Sequence, residues 1–184
     1  MAKVRKNLII QGLSGSLGEQ LVIRHDKAGR TIVAVSPSFD PNRTFTAEQL
    51  EAQERFRQAT AYAKDAREED VYVEKADGKA VSAYNVAVAD WFHAPEILEV
   101  DLSAWDGTQG QVIRVKVMDD VQVTQVHVVI TDEQGDTIEQ GAANHEGGLW
   151  WTYTTTENAS GTPRVVASAW DLPGNITNLE VTNS

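Results

Sequence analysis

The sequence lacks cysteine, which excludes disulfide bonds, thiolate metal sites and cysteine nucleophiles together. It also lacks any apolar run near the roughly 18 residues that a membrane-spanning helix requires, so we expect no membrane span. The basic opening of the chain is followed by only three consecutive apolar residues, Leu8 to Ile10, whereas a secretory signal peptide needs about 7–15. We therefore expect a protein that is cytoplasmic, virion-associated or exported without a signal peptide.

Histidine is scarce and scattered. The four histidines are His25, His93, His127 and His145, and no two of them lie within five residues of each other. A zinc site would therefore need ligands from distant parts of the chain. The Gly-x-Ser-x-Gly pattern of serine hydrolases is also absent. Because no pair among the 27 acidic residues stands out for carboxylate-based hydrolysis, we predict that the protein is not an enzyme.

Positive charge is scarce over most of the chain, which has 184 residues and a net charge of −11. Residues 1–43 carry seven Lys or Arg and three acids, a net of +4. The remainder carries nine Lys or Arg and 24 acids, a net of −15. This division bears on partners rather than on fold. It fits two solvated surfaces, or a basic end that meets the acidic body of another copy. We do not expect nucleic acid as a partner, because the acidic body would repel it.

Residues 1–94 predict a small α+β domain with a basic N-terminal β-meander. Three short strands are predicted at Val4–Ile10, Glu19–His25 and Arg30–Ser36. The glycines between the first two strands, at residues 12–18, predict a turn or bulge. A phosphate-binding loop would instead need a helix N-terminus or a Gly-Lys-Ser/Thr ending after these glycines, and neither follows them.

Two helices are predicted to lie over these strands. Thr46 and Gln49 form the capping-box pattern, which starts a helix that extends to about Arg67. Its predicted apolar face consists of Leu50, Phe56, Ala59, Tyr62 and Ala63. A second helix is predicted over residues 80–93, with Asp90 on its polar side, and a proline ends it. Between the helices, Val71–Glu74 predicts a short strand.

Residues 95–184 predict an all-β sandwich of about seven strands. Residues 111–132 alternate apolar and polar side chains over two strands joined at Met118–Thr124, which is the pattern of half-buried strands. The other strands are predicted at Ile97–Leu102, Thr137–Ala142, Leu149–Thr155, Arg164–Asp171 and Ile176–Val181. Turns at intervals of about 8–12 residues are typical of a sandwich.

Two stretches of this C-terminal part resemble bacterial immunoglobulin-like domains. Residues 119–126, Asp-Asp-Val-Gln-Val-Thr-Gln-Val, are similar to the family segment Asp-Asx-Val-Gly-Val-x-x-Val, with Gln122 in place of glycine. Residues 169–177, Ala-Trp-Asp-Leu-Pro-Gly-Asn-Ile-Thr, resemble the closing strand, Ala-x-Asp-x-x-Gly-Asn-x-Thr. The resemblance covers about residues 95–183. It implies an immunoglobulin-like sandwich in an extracellular, adhesive or assembly protein.

The N-terminal half resembles small uncharacterised bacterial proteins with a Gly-x-x-Ser-Gly-x-x-Gly opening and a Gln-x-x-x-Gln-x-x-Phe helix. Here the glycines of residues 12–18 and the residues Gln49, Gln53 and Phe56 carry the likeness, with Ser14 before the middle glycine. This resemblance assigns no activity.

Calcium is the one candidate cofactor, since no other is expected. Asp119 and Asp120 lie in one predicted inter-strand loop, and Asp171 and Asn175 lie in another. Calcium takes hard oxygen ligands from such loops. The alternative is that these side chains make turn hydrogen bonds.

Two aromatic residues are candidates for a binding site. Trp150 and Trp151 are adjacent, so in a strand they face opposite sides, and one of them should fill the core. Trp151 and Tyr153 then predict an aromatic patch for a carbohydrate or a subunit, with a contact inside the protein as the alternative.

The predicted function is a non-enzymatic structural subunit that forms a homo-oligomer or homopolymer. A filament, a phage-like tail and a surface array all stay open. The N-terminal strands are predicted to supply a sheet edge for strand addition. The residues predicted for this assembly are Leu8, Ile9, Ile10, Leu21, Val22 and Ile23. The alternative function is a monomeric adhesive or carbohydrate- or protein-binding module.

Overall fold

The computed structural model of the chain describes residues 12–18, 20–26, 28–38 and 43–183, together with the backbone of residues 2–4. Within these ranges the protein is mostly β, with three helices and three four-stranded sheets. The helices are α1 (Ala47–Ala66), α2 (Asp70–Ala76) and α3 (Ala83–Phe92). The strands are β1 (Ala2–Val4), β2 (Gly15–Leu17), β3 (Leu21–His25), β4 (Thr31–Val35), β5 (Glu96–Asp101), β6 (Val112–Met118), β7 (Val123–Thr131), β8 (Thr137–Ala142), β9 (Asn144–Gly147), β10 (Trp150–Thr154), β11 (Arg164–Asp171) and β12 (Ile176–Thr182). None of the described helices combines the length and the apolar character that a membrane crossing requires.

The chain divides into two compact units. The first comprises Met1–Gln58 and Ala76–Ser82, and the second comprises Ala59–Lys75 and Ala83–Ser184. The second half of α1, most of α2 and all of α3 therefore belong with the C-terminal strands. This division differs from the domain boundary predicted after residue 94, which stays a prediction.

The first unit contains an antiparallel sheet with the strand order β1-β4-β3-β2. β3 and β4 form the predicted hairpin, in which Gly29 takes a positive φ of 71° at the turn. The glycine-rich stretch predicted as a turn contains the edge strand β2, which pairs with β3. Of the predicted first strand, Val4–Ile10, only Val4 is described, at the end of β1, and the rest lies outside the described residues.

The predicted start of α1 is confirmed. The Thr46 backbone N–H donates to Gln49 Oε1 at 3.2 Å, and the Gln49 N–H donates to Thr46 Oγ1 at 3.3 Å, which is the reciprocal capping box. The predicted apolar face is only partly correct, because Leu50 and Phe56 are exposed whereas the alanines from Ala59 onward are buried. The reason is that α1 joins the larger unit only from Ala59 onward.

The strand predicted at Val71–Glu74 is wrong, because these residues belong to α2. Asp70 lies in the first turn of that helix, where a negative charge interacts favourably with the helix dipole. Tyr72, in the middle of the segment, is fully buried. The other predicted helix is confirmed, with α3 inside the expected range.

The C-terminal strands form a β-sandwich of two antiparallel four-stranded sheets. Their strand orders are β5-β6-β10-β9 and β12-β11-β7-β8. The predicted alternation over residues 111–132 is confirmed, because every second residue of β6 and β7 is buried in one core with β11. The fully buried residues of these three strands are Ile113, Val115, Val117, Val126, Val128, Ile130, Val165, Ala167 and Ala169. The strand β9 extends the predicted seven, and its residues are all exposed, so they show no apolar alternation.

Helical segments cover one end of this sandwich. Ala63, Ala66, Tyr72 and Ala87 form a second buried cluster. Two further residues that pack against it come from sandwich loops, Val121 between β6 and β7 and Leu172 between β11 and β12. These are the loops that carry the segments resembling immunoglobulin-like domains.

Candidate functional site

A buried carboxylate lies at the centre of this helix-covered end. Asp90, in the last turn of α3, is 1% exposed. Its Oδ2 accepts a hydrogen bond of 2.6 Å from the Tyr72 hydroxyl, whose oxygen lies 2.6 Å from the Tyr62 hydroxyl. Because the single Tyr72 proton goes to Asp90, Tyr62 is the donor in the second bond. Asp90 Oδ1 is buried and has no hydrogen-bond partner within the described ranges.

The loop after β11 holds the end of α3. Both carboxylate oxygens of Asp171, which is buried, accept from Asn175: Oδ1 from its backbone N–H at 2.6 Å and Oδ2 from Nδ2 at 2.7 Å. Asn175 Nδ2 also faces the carbonyl oxygens of Asp90, Trp91 and His93 at 3.3–3.4 Å. These carbonyls belong to the last turn of the helix, which needs donors from elsewhere. We call this Asp171–Asn175 arrangement the clamp.

The loop between β6 and β7 lies beside the clamp. Asp119 Oδ2 accepts from the backbone N–H groups of Val121 at 2.9 Å and Gln122 at 2.8 Å, whereas its Oδ1 is buried without a described partner. Asp120 is exposed, and its Oδ2 lies 2.7 Å from His93 Nδ1. The Lys75 ammonium donates to the Asp120 carbonyl oxygen at 2.8 Å.

Negative charge is concentrated at this end of the sandwich. Burial raises the pKa of Asp90 to about 6; the Tyr72 hydrogen bond opposes this shift, and the charges of Asp119, Asp171 and Asp120 add to it. Burial also raises the pKa of Asp171, against the hydrogen bonds from Asn175. The pKa of Tyr72 is raised as well, by burial and by its hydrogen bond to Asp90. The ionisation of any one of these buried groups is therefore opposed by the negative charge of the neighbouring carboxylates.

The four residues predicted for calcium, Asp119, Asp120, Asp171 and Asn175, come together here. In the part of the chain that the structure describes, no group of three or more His, Asp or Glu side chains is arranged to hold a metal ion. Asp119 and Asp171 accept hydrogen bonds from N–H groups of their own loops, as the alternative to calcium binding, stabilisation of the turns, predicts. Calcium therefore stays a prediction.

Sequence reasoning misplaced Asp90, which it put on the polar side of the helix. The residue is buried because that side of α3 faces the two sandwich loops. The signal that could have found it is an isolated acid in an otherwise apolar stretch, Val-Ala-Val-Ala-Asp-Trp-Phe.

A cleft of about 420 Å³ opens next to Asp119, between the β6–β7 loop and the β9–β10 hairpin. Its lining residues are Val117, Asp119, Val121, Gln122, Val123, Thr124, His145, Gly148, Leu149 and Trp151. The rings of His145 and Trp151 lie with their centroids 5.0 Å apart and their planes at 53°. His145 Nε2 donates to the Gly148 carbonyl oxygen at 3.2 Å, which fixes the orientation of the imidazole. We call this opening the Trp151 cleft.

The two predicted binding aromatics have different surroundings. Trp151 is half-buried, packs against the sandwich core and lines the cleft. Tyr153 is buried in the core, and its hydroxyl donates to Glu139 Oε2 at 2.9 Å. The neighbouring Trp150 faces the other side of the sheet, where the Arg114 guanidinium lies 4.4 Å from its ring centroid. Of the predicted pair, only Trp151 is available to a ligand.

Half of the residues predicted for assembly lie in the part of the chain that the structure describes. Leu21, Val22 and Ile23 lie in β3, which is an interior strand because β2 pairs with its outer side. Leu8, Ile9 and Ile10 lie outside the described residues. The edges of this sheet are β1 and β2.

Comparisons with known proteins found distant structural matches. No protein-family model and no curated protein matches the chain. CopC from Methylosinus trichosporium OB3b is 18% identical, with 49% of this chain and 90% of CopC covered and a TM-score of 0.38. An engineered protein is 22% identical, with 55% of this chain and 26% of the engineered protein covered and a TM-score of 0.35. The hypothetical protein PH1083 from Pyrococcus horikoshii OT3 is 12% identical, with 50% of this chain and 87% of PH1083 covered and a TM-score of 0.34. Likenesses this distant assign no activity.

Proposed function

We propose that the chain is a non-enzymatic structural subunit that assembles with copies of itself into a larger particle, such as a filament, a phage-like tail or a surface array. The observation that carries this proposal is the incomplete burial of the first unit. Among the described side chains of its sheet, only Ile23 is buried, whereas Leu17 and Val35 are 58% and 77% exposed. A small sheet with so little buried surface needs something to lie against.

The first half of α1 supports the same proposal. Leu50 and Phe56 are exposed, and Phe56 lines a shallow surface groove with Ala52, Gln53 and Arg57. Burial of one such large side chain contributes about 1.5–3 kcal/mol, so a partner that covered several of them would be held firmly. Apolar surface of this kind marks interaction sites on soluble proteins.

Charge favours a second copy as that partner. The net-basic segment 1–43 and the net-acidic remainder are unlike surfaces on one chain. A contact between unlike surfaces of two copies is head-to-tail, and repetition of it gives rings or open filaments. The second unit would then serve as scaffold, and we take its sandwich to be immunoglobulin-like, as the resemblance of residues 119–126 and 169–177 implies.

Two neighbouring substitutions in β2 test the proposal. Leu17→Lys and Ser16→Lys add the same charge to the same exposed edge strand, but adjacent side chains of a strand face opposite sides. We expect the wild-type protein to self-associate in sedimentation velocity, Leu17→Lys to weaken that association by about tenfold or more, and Ser16→Lys to weaken it less. A wild-type protein that is monomeric at high concentration would refute the proposal.

The Trp151 cleft favours a second candidate, a monomeric module that binds a carbohydrate or a protein. Its volume lies within the usual range of ligand pockets, about 300–1,000 Å³. A stable monomer that a polysaccharide resin retains, and that Trp151→Leu releases, would support this candidate over self-assembly.

A further inference from the structure

We infer that the Trp151 cleft receives a lysine or arginine side chain from the basic segment, residues 1–43, of a second copy. This inference rests on the proposed self-assembly and names the surface that takes part in it. Three features of the cleft point to a cation: its negative surroundings, a carboxylate held in a fixed position and an aromatic wall.

The surroundings of the cleft are negative. Asp119 belongs to its lining, and none of the residues that line it is lysine or arginine. Asp90 and Asp171 are buried behind the same loop, and the charge of Asp119 acts on both of them. Negative charges that are partly removed from water attract a cation more strongly than exposed ones.

Asp119 offers a fixed negative charge. Its Oδ2 is held by two backbone N–H groups, so the carboxylate is fixed in place. Its Oδ1 is buried without a hydrogen-bond partner among the described residues. An ammonium or guanidinium group in the cleft would be attracted to the negative charge of this fixed carboxylate, although the buried oxygen itself is closed to it in this structure.

Trp151 and His145 offer the aromatic wall. A cation within about 6 Å of an indole centroid is attracted by the ring, by about 0.5–2 kcal/mol. The same chain already pairs Arg114 with Trp150 in this way, on the other face of β10. His145 Nε2 donates to the Gly148 carbonyl, so its ring is held in place beside Trp151.

The size of the cleft and the charge of the chain select the occupant. About 420 Å³ accommodates a long side chain with its flanking groups. Residues 1–43 carry seven lysines and arginines against three acids, whereas the rest of the chain is strongly acidic. In a homogeneous assembly this segment of the neighbouring copy is therefore the richest source of a cation.

Charge-removing variants of the full-length protein test the inference in sedimentation velocity at low and high salt. Asp119→Asn keeps an acceptor for both backbone N–H groups but removes the negative charge. Gln122→Lys places a competing cation in the same cleft. Asp136→Asn, in the exposed β7–β8 turn, is the control that removes one charge elsewhere. We expect both cleft variants to weaken self-association by about tenfold at low salt, less so at high salt, and the control to leave it unchanged.

A second set of variants identifies the donor segment. Replacement of Lys3, Arg5 and Lys6 together by glutamine should also weaken self-association, and Asp119→Asn should add little to that loss, because both changes remove one interaction. Self-association that survives in both Asp119→Asn and Gln122→Lys would overturn this inference and leave the proposed function standing. A monomeric wild-type protein would overturn both, whereas cleft variants that lose only polysaccharide binding and still self-associate would overturn this inference alone.

Discussion

The substitution Asp90→Asn should make the protein more stable at neutral pH. The side chain is 1% exposed, and an asparagine of nearly the same shape can still accept the hydrogen bond from Tyr72. The amide stays neutral at every pH, whereas ionised Asp90 is opposed by burial and by the charges of Asp119 and Asp171. The substitution therefore removes an unfavourable buried charge, and its amide Nδ2 takes the place of Oδ1, which has no hydrogen-bond partner among the described residues.

The size of the effect follows from linkage. The pKa of Asp90 is raised from 3.8 to about 6, a difference of about two units, and each unit corresponds to 1.36 kcal/mol. Because the folded pKa is the higher one, the folded state holds the proton more tightly, and stability falls as pH rises from about 4 through about 6. The stability of the variant relative to the wild type should thus rise by about 3 kcal/mol between pH 4 and pH 7, because only the wild type ionises at this position.

Tryptophan fluorescence in a urea titration is the suitable assay. All five tryptophans belong to the second unit, so the signal reports on the body that contains Asp90. The difference in unfolding free energy between variant and wild type is measured from pH 3.5 to 7.5, which cancels the titration of other groups. Asp136→Asn removes a charge at an exposed turn and should show no such pH-dependent difference.

A variant that is less stable than wild type at pH 7 would refute this reasoning, since the negative charge of ionised Asp90 would then be balanced by a favourable interaction that asparagine lacks. A bound cation is the simplest compensation. In that case excess calcium should raise the melting temperature of the wild type and not that of the variant, because only a ligand of the folded state stabilises it. An unchanged melting temperature would remove the calcium prediction.

Two further predictions concern the same end of the sandwich. Tyr72→Phe should destabilise the second unit by about 1–3 kcal/mol and raise the pKa of Asp90 further, because it removes the hydrogen bond that favours the carboxylate. Urea titration measures the loss of stability, and the pH dependence of that stability measures the change in pKa. The control Tyr62→Phe leaves the bond between Tyr72 and Asp90 intact and should have smaller effects. Asn175→Ala should speed amide hydrogen exchange in the last turn of α3, because its carbonyls lose their donor; an exchange rate no faster than in the exposed-site control Asn178→Ala would contradict the role of the clamp.

The sequence predicted the elements whose signal is local. The alternation of Ile113, Val115 and Val117 identifies β6 because a strand with one buried face repeats every two residues. The Thr46–Gln49 pattern identifies the start of α1 because the two residues satisfy each other's backbone N–H groups. Both signals lie within a few neighbouring residues, and both are confirmed.

The elements that the sequence missed depend on distant contacts. Val71–Glu74 is too short to show a period, and its helical form is accompanied by a hydrogen bond from Tyr72 to a residue 18 positions away. Asp90 is buried by loops near residues 119 and 171; the apolar residues around it in α3 are a signal of its burial, but they do not identify the loops. The candidate site was therefore half predicted: its loop residues were identified, but the helical carboxylate that they surround was not.

The clamp also has a mechanical consequence. β12 follows Asn175 directly and pairs with β11 in antiparallel register, from Trp170 opposite Ile176 to Arg164 opposite Thr182. Tension on the chain beyond Thr182 would strip these pairs one at a time, from the far end towards Asn175. At Asn175 the force would act at once on several hydrogen bonds, those of Asn175 to Asp171 and to the end of α3. Separation of β12 should therefore need more force at this point than along the strand.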